Sequence, residues 1–379
     1  MEHQDIATHA RARRNRLLAG LAALRPAMGQ RAGKLDRSGG FPAEDIAALA
    51  ALGMLAAPVP VALGGLGMGT EPEGVTALFH ALATIGQGSL SVGRLVEAHV
   101  NALRLITLYG SQAQARAAAE DALAGHLYGL WVTDAPGDPA CVGADAMLRG
   151  RKNPCSGAGF VRRALITAAL PDGTTRMLAL PVETGVEIDD ASWDPHGMRA
   201  TCSAAVRFVD VGIEPAMIIG GRDDYLRQPE FSAGAWRTAA VIVGGLSALV
   251  EDASAWLAAR RRDGDPHQRA RVGEALIAQE TARLWIWRAA LIAERNEDAA
   301  EDVAGYVNLA RLAAEAACLD AIRLVQRSLG MAAMQRGTVP ERLYRELALY
   351  LRQPAPDITL TEAAAHFMAH VMPPLPDVA

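Results

Sequence analysis

Sequence of the strand-forming type occurs in one block only, and this restricts the fold more than any other feature. Between about Gly129 and Ile219, short runs rich in Val, Ile, Leu and Thr are punctuated by Gly, Pro and Asp, as in LYGLWVT, RRALITAAL, RMLALPV and AAVRFVDVGI. Branched and aromatic side chains suit a pleated, half-buried surface, and the punctuating residues supply turns. PDGT at Pro171–Thr174 lies between two such runs and reads as a hairpin turn. On both sides of the block, Ala and Leu recur at three- and four-residue spacing, as in DIAALAALGMLA and EGVTALFHALATI. Pro58, Pro60 and Gly64, Gly65, Gly67 and Gly69 break that pattern into a loop. After Phe231 the spacing predicts helices over about Ala233–Arg262, Arg269–Glu294, Asp298–Leu329 and Pro340–Leu351. The first three are long, which suits a bundle. Strands gathered in one block argue against a doubly wound fold, where they alternate with helices. The expected class is α+β, mainly α: an N-terminal helical domain over 1–126, a barrel- or sandwich-like β domain over 127–222, and a C-terminal four-helix bundle over 223–379.

Composition narrows the function classes. The chain has 379 residues, 51% of them hydrophobic, enough for more than one large core. A net charge of −5 argues against non-specific nucleic-acid binding, which needs a basic surface. Cys141, Cys155, Cys202 and Cys318 form no CxxC pair, so neither a disulfide framework nor a cysteine zinc site is expected. The N-terminus MEHQDIATHARARRNR lacks the apolar core of a signal peptide, and no uninterrupted apolar run reaches the ~18 residues of a membrane span. The expectation is a cytoplasmic protein with neither nucleic acid nor membrane as partner. His366 and His370 share a helix face, but HFMAH lacks the glutamate of HExxH, so no metal site is expected.

Several collinear stretches resemble the acyl-CoA dehydrogenase superfamily. FPAEDIAALAALGMLAAPVPVALGGLGMG from Phe41 resembles its N-terminal helix and Gly-rich loop, and LITLYGSQAQ from Leu105 its next helix-to-loop transition. GLWVTDAPGD from Gly129 resembles the first flavin-contacting strand and turn, and LRGRKNPCSGAG from Leu148 the following hairpin. GMRATCSAAVRFVDVGI from Gly197, RRRDGDP from Arg260 and VPERLYREL from Val339 resemble three later motifs.

The resemblance implies FAD as cofactor, an acyl-CoA or similar substrate, and a homodimer or homotetramer with FAD at a subunit interface. It implies a flat redox ring between the strand layer and the helical block. Thr133, with the backbone of Leu130 and Val132, would meet the ring's polar edge, and Ser156 would face its N5 atom. Gly137 and Asp138 occupy the turn that approaches the phosphates. Arg260 matches an arginine that grips the pyrophosphate of a neighbouring subunit, and Gly330 is what remains of a Gly-rich turn.

The family's catalytic glutamate has no counterpart here. The position after the motif at Arg345–Glu346 falls at Gln353 or Pro354, and the alternative on the first bundle helix falls near Trp236–Arg237. Pro154 stands where an aromatic residue often packs on the ring, and Asp263 replaces a phenylalanine. Asp357 reads as a helix N-cap. Three readings follow: an acyl-CoA dehydrogenase-like oxidoreductase partnered by an electron-transfer flavoprotein; a flavin monooxygenase fed by a flavin reductase, using Ser156 and His99 near the ring; or an inactive acyl-CoA-binding partner subunit.

Overall fold

The computed structural model describes residues 2–295 and 297–374; residues 1, 296 and 375–379 of the expected terminal domains lie outside the described residues. Helices come first: α1 (Glu2–Ser38), α2 (Ala43–Ala51), α3 (Val75–Gly88), α4 (Leu90–Tyr109) and α5 (Gln112–Leu123). Eight strands follow: β1 (Tyr128–Trp131), β2 (Cys141–Val142), β3 (Met147–Cys155), β4 (Arg163–Ala169), β5 (Thr175–Pro181), β6 (Val186–Asp189), β7 (Ala204–Gly212) and β8 (Ile218–Ile219). Helices then resume with α6 (Glu230–Ala233), α7 (Ala235–Ala259), α8 (Pro266–Arg295), α9 (Ala300–Leu329), α10 (Val339–Tyr350) and α11 (Pro356–Ala369). The order is the helix–strand–helix arrangement of a mainly helical α+β chain.

Local chemistry sets several of these boundaries. Ser89 caps α4 by accepting the Val92 N–H at 3.3 Å. Ser111 and Gln114 close a capping box on α5. Asp265 accepts the His267 N–H at 2.8 Å at the start of α8. Gly330 ends α9 with φ +61° and ψ −139°, a conformation close to glycine-only. The residue capping α11 is Ala355, so Asp357 stands in the first turn rather than at the N-cap, where it still favours the helix dipole.

The strands form one hydrogen-bonded sheet in the order β6-β7-β3-β2-β4-β5-β8, with β1 also paired to β4. The PDGT hairpin joins β4 to β5, with Leu170 N–H bonded to Thr174 O at 2.8 Å and Gly173 at φ +82°. β4 is covered on both faces, which explains its unbroken apolar run. Ala164, Ile166 and Ala168 join a core with Leu148, Val206 and Phe208, whereas Leu165 packs with Ala102, Leu103 and Ile106 of α4.

The largest core binds α3 and α4 to α7, α8, α9 and α10. Residues 230–259 are long and apolar enough to cross a membrane by length and composition, but 72% of their most apolar window is buried inside the protein. This segment is the centre of the bundle. Its crossing with α3 is a backbone contact. A Cβ on Gly244 would lie 2.0 Å from Ala83 O, and one on Gly86 would lie 2.2 Å from Val241 O. Neither carbonyl can yield as a side chain can, so Gly244→Ala is expected to destabilise the fold by about 2 kcal/mol or more, and larger residues by more still. Chemical denaturation measures this; a Gly244→Ala protein as stable as the wild type would contradict the close crossing.

Candidate functional site

β1 and β2 both run parallel to β4 along the same edge, with Tyr128 opposite Arg163, Trp131 opposite Ile166, and Cys141 opposite Ala169. Between them the chain leaves the ladder and returns. This excursion carries Val132, Thr133, Asp134, Gly137 and Asp138. Its tip is a turn in which Asp138 N–H bonds to Ala135 O at 3.2 Å and Gly137 adopts φ +79°. The Asp138 carboxylate pairs with Arg151 at 3.2 Å, and both side chains are about half exposed.

The root of the excursion is held from three sides. Tyr128 N–H donates to His99 Nδ1 at 3.0 Å, and His99 Nε2–H donates to Leu55 O at 2.8 Å. An Nδ1 that accepts from a backbone amide fixes the Nε2–H tautomer. The ring is fully buried, and burial pushes its pKa down to about 4, so it is neutral. His99 was expected near the reacting groups as a catalytic candidate. Both its nitrogens are instead spent on backbone, and it acts as a strut between α4, β1 and the turn after α2. The second hold is on Val132 O, which accepts from Lys152 Nζ at 3.1 Å and Thr167 Oγ1 at 3.2 Å. The third is the Asn153 N–H, which donates to Thr133 O at 3.0 Å.

These holds leave donors unspent. Tyr128 N–H points away from β4, and strand alternation turns Leu130 N–H the same way. Among the described residues, neither Val132 N–H nor Thr133 N–H nor the exposed Thr133 hydroxyl has an acceptor. Leu130, Val132 and Thr133 thus form a short rail of hydrogen-bond donors.

Ser156 follows Asn153 by three residues, just past the end of β3, and is tied to the last residue of β1. It is 6% exposed, its carbonyl accepts from Trp131 Nε1 at 3.0 Å, and its hydroxyl accepts from Ser203 at 3.2 Å. Ser203 Oγ lies 2.9 Å from Thr201 Oγ1, which donates to Met198 O at 2.8 Å. The Ser156 O–H remains free to donate elsewhere. The segment behind it is pinned: Arg199 donates to Asp36 O at 3.1 Å and Arg37 O at 3.0 Å, and Arg345 pairs with Asp36 at 2.7 Å. Met198 and Cys202 are held at φ +59° and +42°, backbone states that non-glycine residues keep only where the surroundings impose them.

Arg260 and Gly330 stand elsewhere, at the C-terminal ends of α7 and α9. Arg260 is exposed, caps α7 and stacks over Trp256 with its Cζ 3.8 Å from the ring centroid. No hydrogen bond or ion pair among the described residues joins either one to the rail. Two hollows lie among the bundle helices, one beside Ala235, Ile242, Arg311 and Gln353, the other beside Val250, Leu257, Val272 and Leu324.

The positions where a carboxylate base was sought are occupied otherwise. Gln353 turns its amide back to Tyr350 O at 2.7 Å. Trp236 Nε1 donates to Glu294 at 3.0 Å, and Arg237 pairs with the same carboxylate. Glu294 also binds Arg104 at 2.7 Å. Arg237 reaches Asn101 at 2.8 Å, Asn101 reaches Glu97 at 2.8 Å, and Glu97 is further bonded by Arg94 and, at 3.4 Å, by Tyr350. Burial lowers the Arg237 pKa to about 10, which leaves it charged at neutral pH. Both glutamates are saturated by donors. Glu346 is buried against Arg342 at 2.8 Å. His366 bonds Asp302 at 2.6 Å, and among the described residues no metal-ligand group forms.

Sequence reasoning assigned no role to Lys152, Thr167, Thr201 or Ser203. For Lys152 a signal existed. In MLRGRKNPC it stands at the same alternation as Leu148 and Gly150, the buried parity of β3, and it is 1% exposed. A lysine on the inward face of a strand marks a buried charge with a partner.

Family models described as acyl-CoA dehydrogenase N-terminal domain and acyl-CoA dehydrogenase C-terminal domain match residues 23–126 and 225–351. The human mitochondrial short-chain specific acyl-CoA dehydrogenase is 25% identical over 338 residues, covering 83% of this chain and 80% of that one. L-evernosamine nitrososynthase of a Micromonospora species is 29% identical over 316 residues, covering 75% of this chain and 70% of its own. The FMN-bound dibenzothiophene monooxygenase of Paenibacillus sp. A11-2 superposes with a TM-score of 0.82 at 20% identity, covering 95% of this chain and 99% of that one.

The strut makes a pH prediction. A histidine whose folded pKa lies near 4 against about 6.5 unfolded contributes stability that is complete above pH 6.5 and is lost as pH falls toward 4. Between pH 7 and pH 5 that component amounts to about 2 kcal/mol. Denaturation of wild type and His99→Gln at both pH values isolates it. The wild type should lose about that much more than the variant, and equal losses would contradict a neutral buried His99.

Proposed function

The chain belongs to the acyl-CoA dehydrogenase family, and from that premise we propose that it is a flavin-dependent oxidoreductase of the monooxygenase kind, working with reduced flavin and oxygen on a small polar substrate. The observation that carries this reading is that, among the described residues, neither place where a dehydrogenase carries its base holds a free carboxylate. Abstraction of an α-proton requires a carboxylate within hydrogen-bond reach of the substrate carbon. Gln353 stands in one such place, and Trp236–Arg237, locked on Glu294, in the other. The ion-paired network through Arg94, Glu97, Asn101, Arg237 and Glu294 also fills the space between α4, α7 and α8 with charge, which is a poor lining for a long acyl chain.

The residues at the rail fit a flavin ring. Its polar edge needs donors, and Leu130, Val132 and Thr133 offer backbone N–H groups and one hydroxyl with no competing acceptor. When bound, the flavin supplies the two-electron chemistry, while the protein supplies binding, orientation and electrostatics. Ser156 presents a hydroxyl that can donate or accept as the ring's protonation changes. Arg260 and Gly330 end α7 and α9, and no hydrogen bond or ion pair among the described residues joins them to this rail. In our reading they serve the flavin of a second copy in a homo-oligomer, Arg260 meeting phosphate with its planar fork. The donor rail addresses the ring alone and so accepts FMN or FAD. The electron source is a flavin reductase, and the protein works in the cytoplasm.

Protein incubated with FMN or FAD should bind flavin. The bound flavin should keep its oxidised spectrum when an acyl-CoA panel is added anaerobically, and oxygen uptake should require a reductase. Bleaching by an acyl-CoA alone would return the protein to the dehydrogenases, and failure to bind either flavin would leave it a non-redox partner subunit. Ser156→Ala should slow the reaction of reduced flavin with oxygen by about tenfold or more while costing roughly 1 kcal/mol of stability. Unchanged kinetics with a large fall in melting temperature would assign Ser156 a packing role only.

A further inference from the structure

Among the described residues, Lys152 is the buried cation of the sheet domain that touches the rail. It is 1% exposed, and its three N–H bonds are all accounted for: Val132 O at 3.1 Å, Thr167 Oγ1 at 3.0 Å and Asp134 Oδ1 at 2.7 Å. Thr167 in turn donates to Val132 O at 3.2 Å, so this carbonyl accepts two bonds, one from a full positive charge. In a trans peptide the carbonyl and the following N–H point in opposite directions. A donor pulling on Val132 O therefore fixes and polarises Thr133 N–H on the opposite side, and that N–H has no acceptor among the described residues. Asp134, the counter-charge, is 44% exposed and solvated, whereas the ammonium is not. The field of the pair at the rail is that of an unequally screened cation and anion.

We propose that Lys152 is a positioning and tuning residue for the redox ring, holding the Val132–Thr133 peptide as a strengthened donor and placing a buried positive charge behind the ring's polar edge. The proposal rests on the flavin reading given above. A ring that gains negative charge on reduction is stabilised in its reduced form by this arrangement. Removing the cation makes reduction harder, and removing its counter-charge makes it easier. A purely structural lysine has no such pair of opposite effects.

The test uses the full chain, FMN and FAD as probes, fluorescence quenching for affinity, and spectroelectrochemistry for the bound midpoint potential. Lys152→Met should weaken binding of the better flavin about tenfold and shift the bound potential to more negative values. Lys152→Arg should recover most of the shift, and Asp134→Asn, a surface change, should move the potential in the positive direction. If wild type binds neither flavin, the functional reading fails and this proposal with it. If wild type binds and Lys152→Met keeps both affinity and potential, the flavin reading stands and the role of Lys152 is overturned. Should Lys152→Met fail to fold, Asp134→Asn and Thr167→Val decide. An unmoved potential in the first together with unchanged affinity in the second also overturns it.

Discussion

The site depends on how one backbone segment leaves the sheet. From Tyr128 to Thr133 the chain is gripped by His99, by the Lys152–Thr167 pair and by Asn153. Each grip takes up a group that would otherwise need solvent or a ladder partner. Those that remain, the N–H groups of Leu130, Val132 and Thr133, lie along one short stretch of chain without a protein acceptor among the described residues. An unpaired backbone donor costs free energy unless water or a ligand meets it. An exposed rail whose geometry is fixed by buried partners is thus prepared for a ligand with acceptors along one side.

α4 transmits this order to the bundle. Leu95 and His99 lie on the face that meets β1 and Ser156's neighbour Gly157, while Arg94, Glu97, Asn101 and Arg104 lie on the face that meets α7 and α8. The helix is a wall between two chemistries, apolar and backbone-directed toward the sheet, ionic toward the bundle. Breaking a buried pair by removing one partner typically costs about 3–5 kcal/mol. The network is therefore a poor place for a substrate to insert, and a firm backing for the strut.

Much of the fold was legible because period and composition change together. The switch from helical spacing to Val- and Thr-rich runs near Gly129, and back near Phe231, follows from side-chain shape and needs no tertiary information. The long bundle helices lie within a few residues of their expected spans. Helix starts were harder, because caps depend on local geometry: Asp357 looked like a cap, yet the chain turns at Ala355. Within the site, GLWVTDAPGD pointed to the strand and turn through its resemblance to the family's flavin-contacting segment. The role of His99 was not legible. Whether a helix histidine spends its nitrogens on backbone depends on Leu55 and Tyr128, 44 and 29 residues away in sequence. Nor was the hydroxyl line from Thr201 to Ser156, which arises from the pairing of β3 with β7.

The central claim is that the donor rail of β1 receives the acceptor edge of a flavin. Amide hydrogen exchange, followed by mass spectrometry with and without saturating FMN or FAD, addresses it directly. The account predicts slowed exchange in peptides spanning residues 129–134 when flavin is bound, because amides now open to solvent acquire an acceptor. Flavin binding demonstrated by quenching, with exchange over those residues unchanged and protection appearing elsewhere, would contradict it.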